Sequence, residues 1–479
     1  MHWLLGKTQT DEFIDIIQNN KPKIIDMVKE LYTTFNPSSF LEGVKYYFNE
    51  NDIANKKVYV YDDNGNKILD TDATNEASKI PSGFHKILVD QKVGYLAGEP
   101  ISFGSKNDNQ KALDIIDELI GEEFEDTLPE LILNASNKGK EWLHVYVDED
   151  GEFQHIIIPA EEFIPIYDTK RKDKLVAGIR FYNIADNKVK LELWTSDDVT
   201  YYEMINGEIF IDVTEDVNPA PHFYRGNEQM SWGEVPFIEF KNNEFGISDL
   251  TFVKKQIDGY DNLVSTTQDV LEDIQALIYV LKGYEGESLQ EFLTMLKRYR
   301  AIKVEAEEGS GVDTLSSDVP VDAYKTQRDT YINDIYSFGQ GVNPNPDIIG
   351  NAPSGVALQN LYSLLDIKAS MLERKFTKAL RKFMWFVAEY AKLNKLGEFD
   401  YKDITFTFNK MILVNESEIV DMTQKSQGVI SQTTILENHP WVKNVALEQE
   451  RLEAEQAKQN DIIGERLGGL EDEKPGDDD

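Results

Sequence analysis

Apolar positions change period several times along this chain, and each change marks an element. Over residues 11–35, Phe13, Ile16, Ile17, Ile24, Ile25, Val28 and Leu31 recur at helical spacing, interrupted by Asn19-Asn20-Lys21-Pro22. Pro22 is expected in the first turn of a second helix, where its missing N–H costs nothing. Tyr46-Tyr47-Phe48 closes a further short helix. Val58–Tyr61 and Ile68–Leu69 flank Asp62-Asp63-Asn64-Gly65, and Asn-Gly between β-prone runs predicts a hairpin. Gly83–Ala97 reads as a helix stopped by Gly98 and Pro100, and 108–140 as another helical stretch. From Trp142 to Phe240 the period drops to two. Strands are predicted at 143–147, 153–158, 163–167, 176–182, 188–195, 199–203, 208–213 and 235–240, with Asp150-Gly151 and Asn206-Gly207 among the turns.

The cleanest periodic segment follows. Leu250, Val253, Ile257, Tyr260, Val264, Thr267, Leu271, Ile274, Ile278 and Leu281 alternate spacings of three and four. They predict one helix over 247–282, roughly 47 Å of stripe at ~1.5 Å per residue. Such a stripe suits either a buried core helix or a helix packed on both a partner helix and a neighbouring subunit. Gly283 and Gly286 end it. A short helix at 289–300, strands at 301–305 and 312–315, and a helix at 321–338 opened by Pro320 come next. Residues 355–395 are again amphipathic, with Leu358, Leu361, Leu365, Leu372, Phe376, Leu380, Phe383 and Val387 on one side. A strand at 404–408 and helices at 415–430 and 440–460 complete the pattern. The acidic end, Glu471–Asp479, is expected to be disordered.

This order of elements is an α+β fold, and 479 residues suit two to four domains of roughly 150 each. The absence of cysteine excludes disulfides, thiolate metal sites and cysteine nucleophiles. Met1–Leu5 is too short for the apolar core of a signal peptide, and no window approaches the ~18–20 apolar residues of a membrane span. A soluble chain with no membrane partner is therefore expected. A formal charge of −37 argues against coating nucleic acid with the whole surface and restricts any contact with DNA to local cations.

Those local cations are easy to find. The 355–395 segment carries Lys368, Arg374, Lys375, Lys378, Arg381 and Lys382, then Lys392 and Lys395, against only Asp366, Glu373 and Glu389. They suit either a polyanion or the acidic surface of a neighbouring domain. Lys254, Lys255, Lys325 and Arg328 sit on the two helices before it, the first two off the 250–281 stripe, and their plain reading is an ordinary solvated face. Between lies Gly339-Gln340-Gly341-Val342-Asn343-Pro344-Asn345-Pro346-Asp347-Ile348-Ile349-Gly350-Asn351-Ala352-Pro353-Ser354-Gly355. Its glycines can accept positive φ and its prolines stiffen the pieces between them, so the loop can move as a unit. Asn343, Asn345 and Asn351 offer hydrogen bonds, Ile348 and Ile349 an apolar apex, and the tip holds no Lys or Arg.

Catalytic chemistry is not legible. Gly6-Lys7-Thr8 lacks the first glycine and the preceding strand of a phosphate loop. The two Asp/Gly-rich turns lack calcium-loop spacing. The six histidines form no His-x-x-x-His pair, and no nucleophile elbow or dinucleotide fingerprint occurs. No enzyme activity, metal or cofactor is expected.

Two runs carry a resemblance. Lys86-Ile87-Leu88-Val89-Asp90-Gln91-Lys92-Val93-Gly94-Tyr95-Leu96-Ala97-Gly98-Glu99-Pro100-Ile101 is similar to an N-terminal signature, and Asn351-Ala352-Pro353-Ser354-Gly355-Val356-Ala357-Leu358 to the opening of a long helix, of the portal proteins of tailed bacteriophages, particularly those of long-tailed phages infecting Gram-positive bacteria. The second run holds one extra residue between Asn351 and Ser354. The resemblance spans residues 10–460 and implies a wing at 1–246 and 355–413, stem helices at 247–282 and 321–338, and a clip at 283–320. It further implies a tunnel loop at 339–354 with its tip at Asn343, Pro344, Asn345, Pro346, Asp347, Ile348, Ile349, Gly350 and Asn351, a helical crown at 414–465, and an acidic tail at 466–479. The function implied is a ring of about twelve copies at one capsid vertex, passing double-stranded DNA without sequence preference. The implied partners are the terminase large subunit, major capsid and scaffolding proteins, and head-completion or adaptor proteins, first in the host cytoplasm and then in the virion. A minor head or adaptor protein without a channel is the alternative, and a magnesium-dependent nuclease or ATPase a more distant one.

Overall fold

The computed structural model describes residues 11–19, 23–61, 66–69, 77–168, 170–171, 173–274, 278–282, 311–315, 321–344, 355–410, 416–437 and scattered positions from 439 to 458. Two compact units emerge: residues 1–343 with 364–411, and residues 344–363 with 412–479.

The larger unit is built on an antiparallel meander. Strands Phe163–Tyr167, Leu175–Ala185, Lys188–Trp194, Asp198–Ile205 and Glu208–Ile211 lie in chain order across one sheet, with Ala220–Pro221 added beside the fourth. Helices Asp11–Asn19 and Ile24–Thr34 cover one face. Phe13, Ile16, Met27, Val28 and Leu31 pack on Ile164, Ile166, Ile179, Leu191 and Leu193, which is what the alternation of period two against the helical spacing was for. Pro22 lies outside the described residues.

The expected single β region divides. Phe237–Lys241, Lys140–Val147 and Phe153–Ile158 form a separate three-stranded sheet, and Phe223–Arg225 pairs with Glu228–Met230. Aromatic packing joins the two larger sheets: Phe163 lies 4.4 Å, centroid to centroid, from both Trp142 and Phe237. Gly178 makes room for it, since a Cβ there would meet the Phe163 ring at 2.1 Å.

Three further differences have local causes. The stretch 108–140 is two helices, Gln110–Ile120 and Glu123–Lys138, parted at Gly121 with φ +61°, a conformation glycine adopts without strain. Ser102–Ser105 forms an unexpected strand against Ile404–Thr407, with Phe103 opposite Phe406. Its small polar residues carry no β signal, and only the partner strand makes it one.

The third concerns the 247–282 segment, which is not one helix. Asp249–Phe252 is a 3-10 turn, Lys254–Ile274 is the helix, and Ile278–Lys282 is a strand paired with Gly311–Leu315. The β-rich run Ile-Tyr-Val-Leu-Lys happens to place Ile278 and Leu281 three apart, so they matched the helical stripe while belonging to a strand. Gly311–Leu315 therefore pairs with 278–282; the helix expected at 289–300 and the strand expected at 301–305 lie outside the described residues.

Val321–Phe338 packs antiparallel on Lys254–Ile274. Leu250, Val253, Ile257, Ile335 and Tyr336 share a core with Tyr46 and Leu88. Gly259 permits the close approach, because a Cβ there would lie 2.8 Å from the Tyr331 ring. Gly355–Leu393 is a single helix of 39 residues, and Leu365, Ala369, Leu372, Phe376, Leu380, Phe383 and Val387 form its buried row. In the smaller unit, Glu416–Lys425 is shorter than the helix expected over 415–430, and Gln432–Glu437 is a short helix beyond it where none was expected. Among the described residues no helix is long and apolar enough to cross a membrane.

Candidate functional site

The root of the glycine- and proline-rich loop is fixed by the 86–101 run. Helix Phe84–Ala97 presents Gln91 to Val342: its Nε2 donates to the Val342 carbonyl at 2.6 Å, and its Oε1 accepts from the Val342 N–H at 2.9 Å. One side-chain amide thus satisfies both backbone groups of one loop residue, as a paired strand would. Gly339 and Gly341 are not at positive φ; the residue between them, Gln340, is, at +53°. The glycines supply space instead, since a Cβ would fall 2.5 Å from Leu88 at Gly339 and 2.3 Å from it at Gly341. Asn343 and Pro344 end the described part of the loop. Asn345, Pro346, Asp347, Ile348, Ile349, Gly350 and Asn351 lie outside it.

Behind the root is a buried charge cluster. Lys368 donates to the Gly339 carbonyl at 2.9 Å and pairs with Asp249 at 3.0 Å. Lys92, only 1% exposed, reaches the same Asp249 oxygen and the Asn242 carbonyl oxygen, each at 2.6 Å. Asn242 returns a hydrogen bond to the other Asp249 oxygen at 2.8 Å. Burial would raise the Asp249 carboxyl, but Lys368 and Lys92 outweigh it and hold it well below the ordinary carboxylate range. Burial likewise pushes the Lys92 ammonium down to about 8. One carboxylate between two lysines ties together the 84–97 helix, the 249–252 turn, the long helix and the loop root. His85 sits behind them against Asn137 at 2.9 Å, and burial lowers it to about 4. Tyr95 adds a bond to Asp366 at 2.9 Å, and Lys410 bridges Asp366 and Glu373.

The other cations divide into occupied and open. Lys254 is held by Asp52, Asp258 and Glu42; burial would lower its ammonium, and Asp52, Tyr46 and Asp258 instead raise it. Arg328 meets its neighbour Asp329 at 3.0 Å. Lys255 and Lys325 are exposed. On the long helix, Lys375 pairs with Glu244, Lys378 with Asp173 at 2.9 Å, and Lys382 with Glu234 at 3.2 Å, its ammonium also lying over the Trp385 ring. With Lys368, four of the six cations singled out there are matched by carboxylates of their own chain. Arg374 and Arg381 are exposed and have no carboxylate partner among the described residues. Lys375, Lys378 and Lys382 edge a cleft of about 350 Å³ between the long helix and the three-stranded sheet, and Glu234 and Glu244 line it too.

Periodicity also missed what the Lys254–Ile274 helix does with its polar face. Asp261, Ser265 and Asp269 accept the backbone N–H groups of Ser82, Ile80 and Ser78 at 3.0, 3.0 and 2.7 Å. Four residues of helix rise ~6 Å and two of extended chain ~6.7 Å, so acceptors at i, i+4 and i+8 match donors at alternate strap residues. The spacing was legible, but nothing in the sequence named the partner. Among the described residues no cluster of side chains is arranged to hold a metal ion.

Comparison with known proteins gives concordant matches. The family model described as phage portal protein, SPP1 Gp6-like, matches residues 38–461. The portal protein of Bacillus phage SPP1 is 40% identical over 99% of this chain and 95% of its own length. That of Clostridium phage phiCD119 is 34% identical over 87% of this chain and 92% of its own. Among solved structures, a chain from the virion of a native gene transfer agent particle aligns with TM-score 0.41 at 12% identity, over 73% of this chain and 88% of that one.

Proposed function

The chain belongs to the SPP1 Gp6-like family of phage portal proteins, and on that premise we propose that copies of it close into a ring whose channel admits double-stranded DNA. It is a phage portal protein, and the adaptor alternative is not favoured by relatives that match nearly end to end. In the proposed ring, Lys254–Ile274 and Val321–Phe338 are the stem, the strand pair 278–282 and 311–315 belongs with the clip, and residues 339–354 form the tunnel loop. The role is structural, at the capsid vertex, after assembly in the host cytoplasm. A terminase motor, capsid and scaffolding proteins and head-completion proteins are its proposed partners.

The observation that carries the reading is the anchored loop root. A segment free of Lys and Arg at its tip is held at its base by Gln91, Leu88 and Lys368. That is a mounting that would keep the base of a tunnel loop in register with a rigid helix. Its contact with DNA is steric and hydrogen-bonded, and the surrounding acidity keeps the contact from becoming adhesive. Deleting residues 343–351 is expected to leave rings visible by negative-stain electron microscopy while reducing packaged DNA. Normal packaging by that variant would sink the loop assignment, and a wild-type chain that forms no rings would sink the ring.

A further inference from the structure

The long helix has a second row at alternating spacings of three and four that stays exposed among the described residues. Leu364, Ile367 and Met371 are 41, 52 and 51% exposed. Arg374, Lys378 and Arg381 continue the row on the exposed surface. This alternation is the one by which a helix seats along a neighbour, apolar in its first half and cationic in its second. The Lys378–Asp173 pair is mostly exposed on both sides and contributes little. Arg374 and Arg381 are open.

The opposite flank is acidic. Phe124 stacks on Phe383 with centroids 5.2 Å apart, and a Cβ at Gly397 would lie 2.6 Å from Ile115. Helices Gln110–Ile120 and Glu123–Lys138 are therefore level with the C-terminal half of the long helix. At ~100° per residue, Phe383 points nearly opposite to Arg374 and Arg381, so these helices cover the reverse face. Residues 110–130 contain eight carboxylates and one lysine; Asp114, Asp117, Glu118, Glu122, Glu125 and Asp126 are all exposed. Each subunit carries cations on one flank and carboxylates on the other.

We infer that the 364–381 row of one copy docks on the acidic helices 110–130 of the next copy. This rests on the ring reading above and names its interface. A chain with a formal charge of −37 repels its own copies, so contact between copies is favoured where exposed cations of one meet carboxylates of the next. Complementary patches on opposite flanks make a head-to-tail contact, the kind that generates rings. DNA is the other available polyanion, but its phosphates offer nothing to Leu364, Ile367 and Met371.

The test uses the full chain, with wild-type rings established first by native mass spectrometry. Arg374→Glu with Arg381→Glu is expected to lower the ring fraction about tenfold at a concentration where the wild type is assembled, with an unchanged circular dichroism spectrum; adding Asp117→Lys and Glu118→Lys restores it. Because the chain contains no cysteine, a second variant needs no loss of assembly. Arg374→Cys with Glu118→Cys should give ladders of linked subunits with a bis-maleimide. Rings that persist in the charge-reversed variant, or rings that yield no ladder, overturn the interface while leaving the ring standing. Intact rings that fail only in packaging also overturn it and assign the row to DNA. A wild type that forms no rings overturns both readings.

Discussion

Lys368 and Arg374 are six residues apart on one helix and do opposite things. Lys368 is drawn inward, ties a loop carbonyl to a buried carboxylate, and shares that carboxylate with a second buried lysine. Arg374 is exposed and has no carboxylate partner among the described residues. A count of positive charges along the helix treats them alike. The difference is in what surrounds them: the carboxylate that Lys368 meets and the second lysine on it are buried, so a missing partner is costly there, whereas near Arg374 water replaces any partner at little cost.

The contrast breaks most visibly at its buried end. Asp249→Ala leaves the buried ammonium of Lys92 and the half-buried one of Lys368 without their counter-ion. A loss of ~3–5 kcal/mol is expected, measurable by denaturant unfolding, and a loss under about 1 kcal/mol would show that the cluster is hydrated. Acid probes the same region more gently. His85 ordinarily titrates near 6.5 but is pushed to about 4 by burial. Below pH 6.5 the unfolded chain binds a proton that the folded chain refuses, so stability falls as pH drops from about 6.5 to about 4 and levels off below. The full effect is on the order of 3 kcal/mol. His85→Gln should flatten that part of the stability–pH curve; an unchanged slope would place the proton elsewhere. At the exposed end, Arg374→Ala should change unfolding of dissociated subunits by no more than ~0.5 kcal/mol. A larger loss there would mean that the arginine has a partner within its own subunit.

Much of the architecture was legible. The 321–338 helix opened by Pro320, the apolar stripe of the 355–393 helix, the helix at 84–97 and the alternating strands of the meander were read nearly residue for residue, because in each the burial pattern and the intrinsic preference agree. The misreadings fall where they disagree. Ile278–Lys282 copied a helical spacing while being β-rich, and Ser102–Ser105 became a strand only through Phe406 and its neighbours. Of the candidate site, the loop and its glycines were visible but their purpose was misjudged: Gly339 and Gly341 yield to the Leu88 side chain rather than to a left-handed backbone. Gln91, Lys92 and Asp249, which fix the loop root, were not singled out for that role, since each acts on a partner between 150 and 251 positions away.

Local order in the sequence determined most of the helices and strands and where the charge lies, because those follow from neighbours along the chain. Tertiary structure alone decided which cations are spent and which are open. A lysine's role depends on the dielectric and the carboxylates that distant segments bring to it, and neither is encoded within a helical turn of the residue itself.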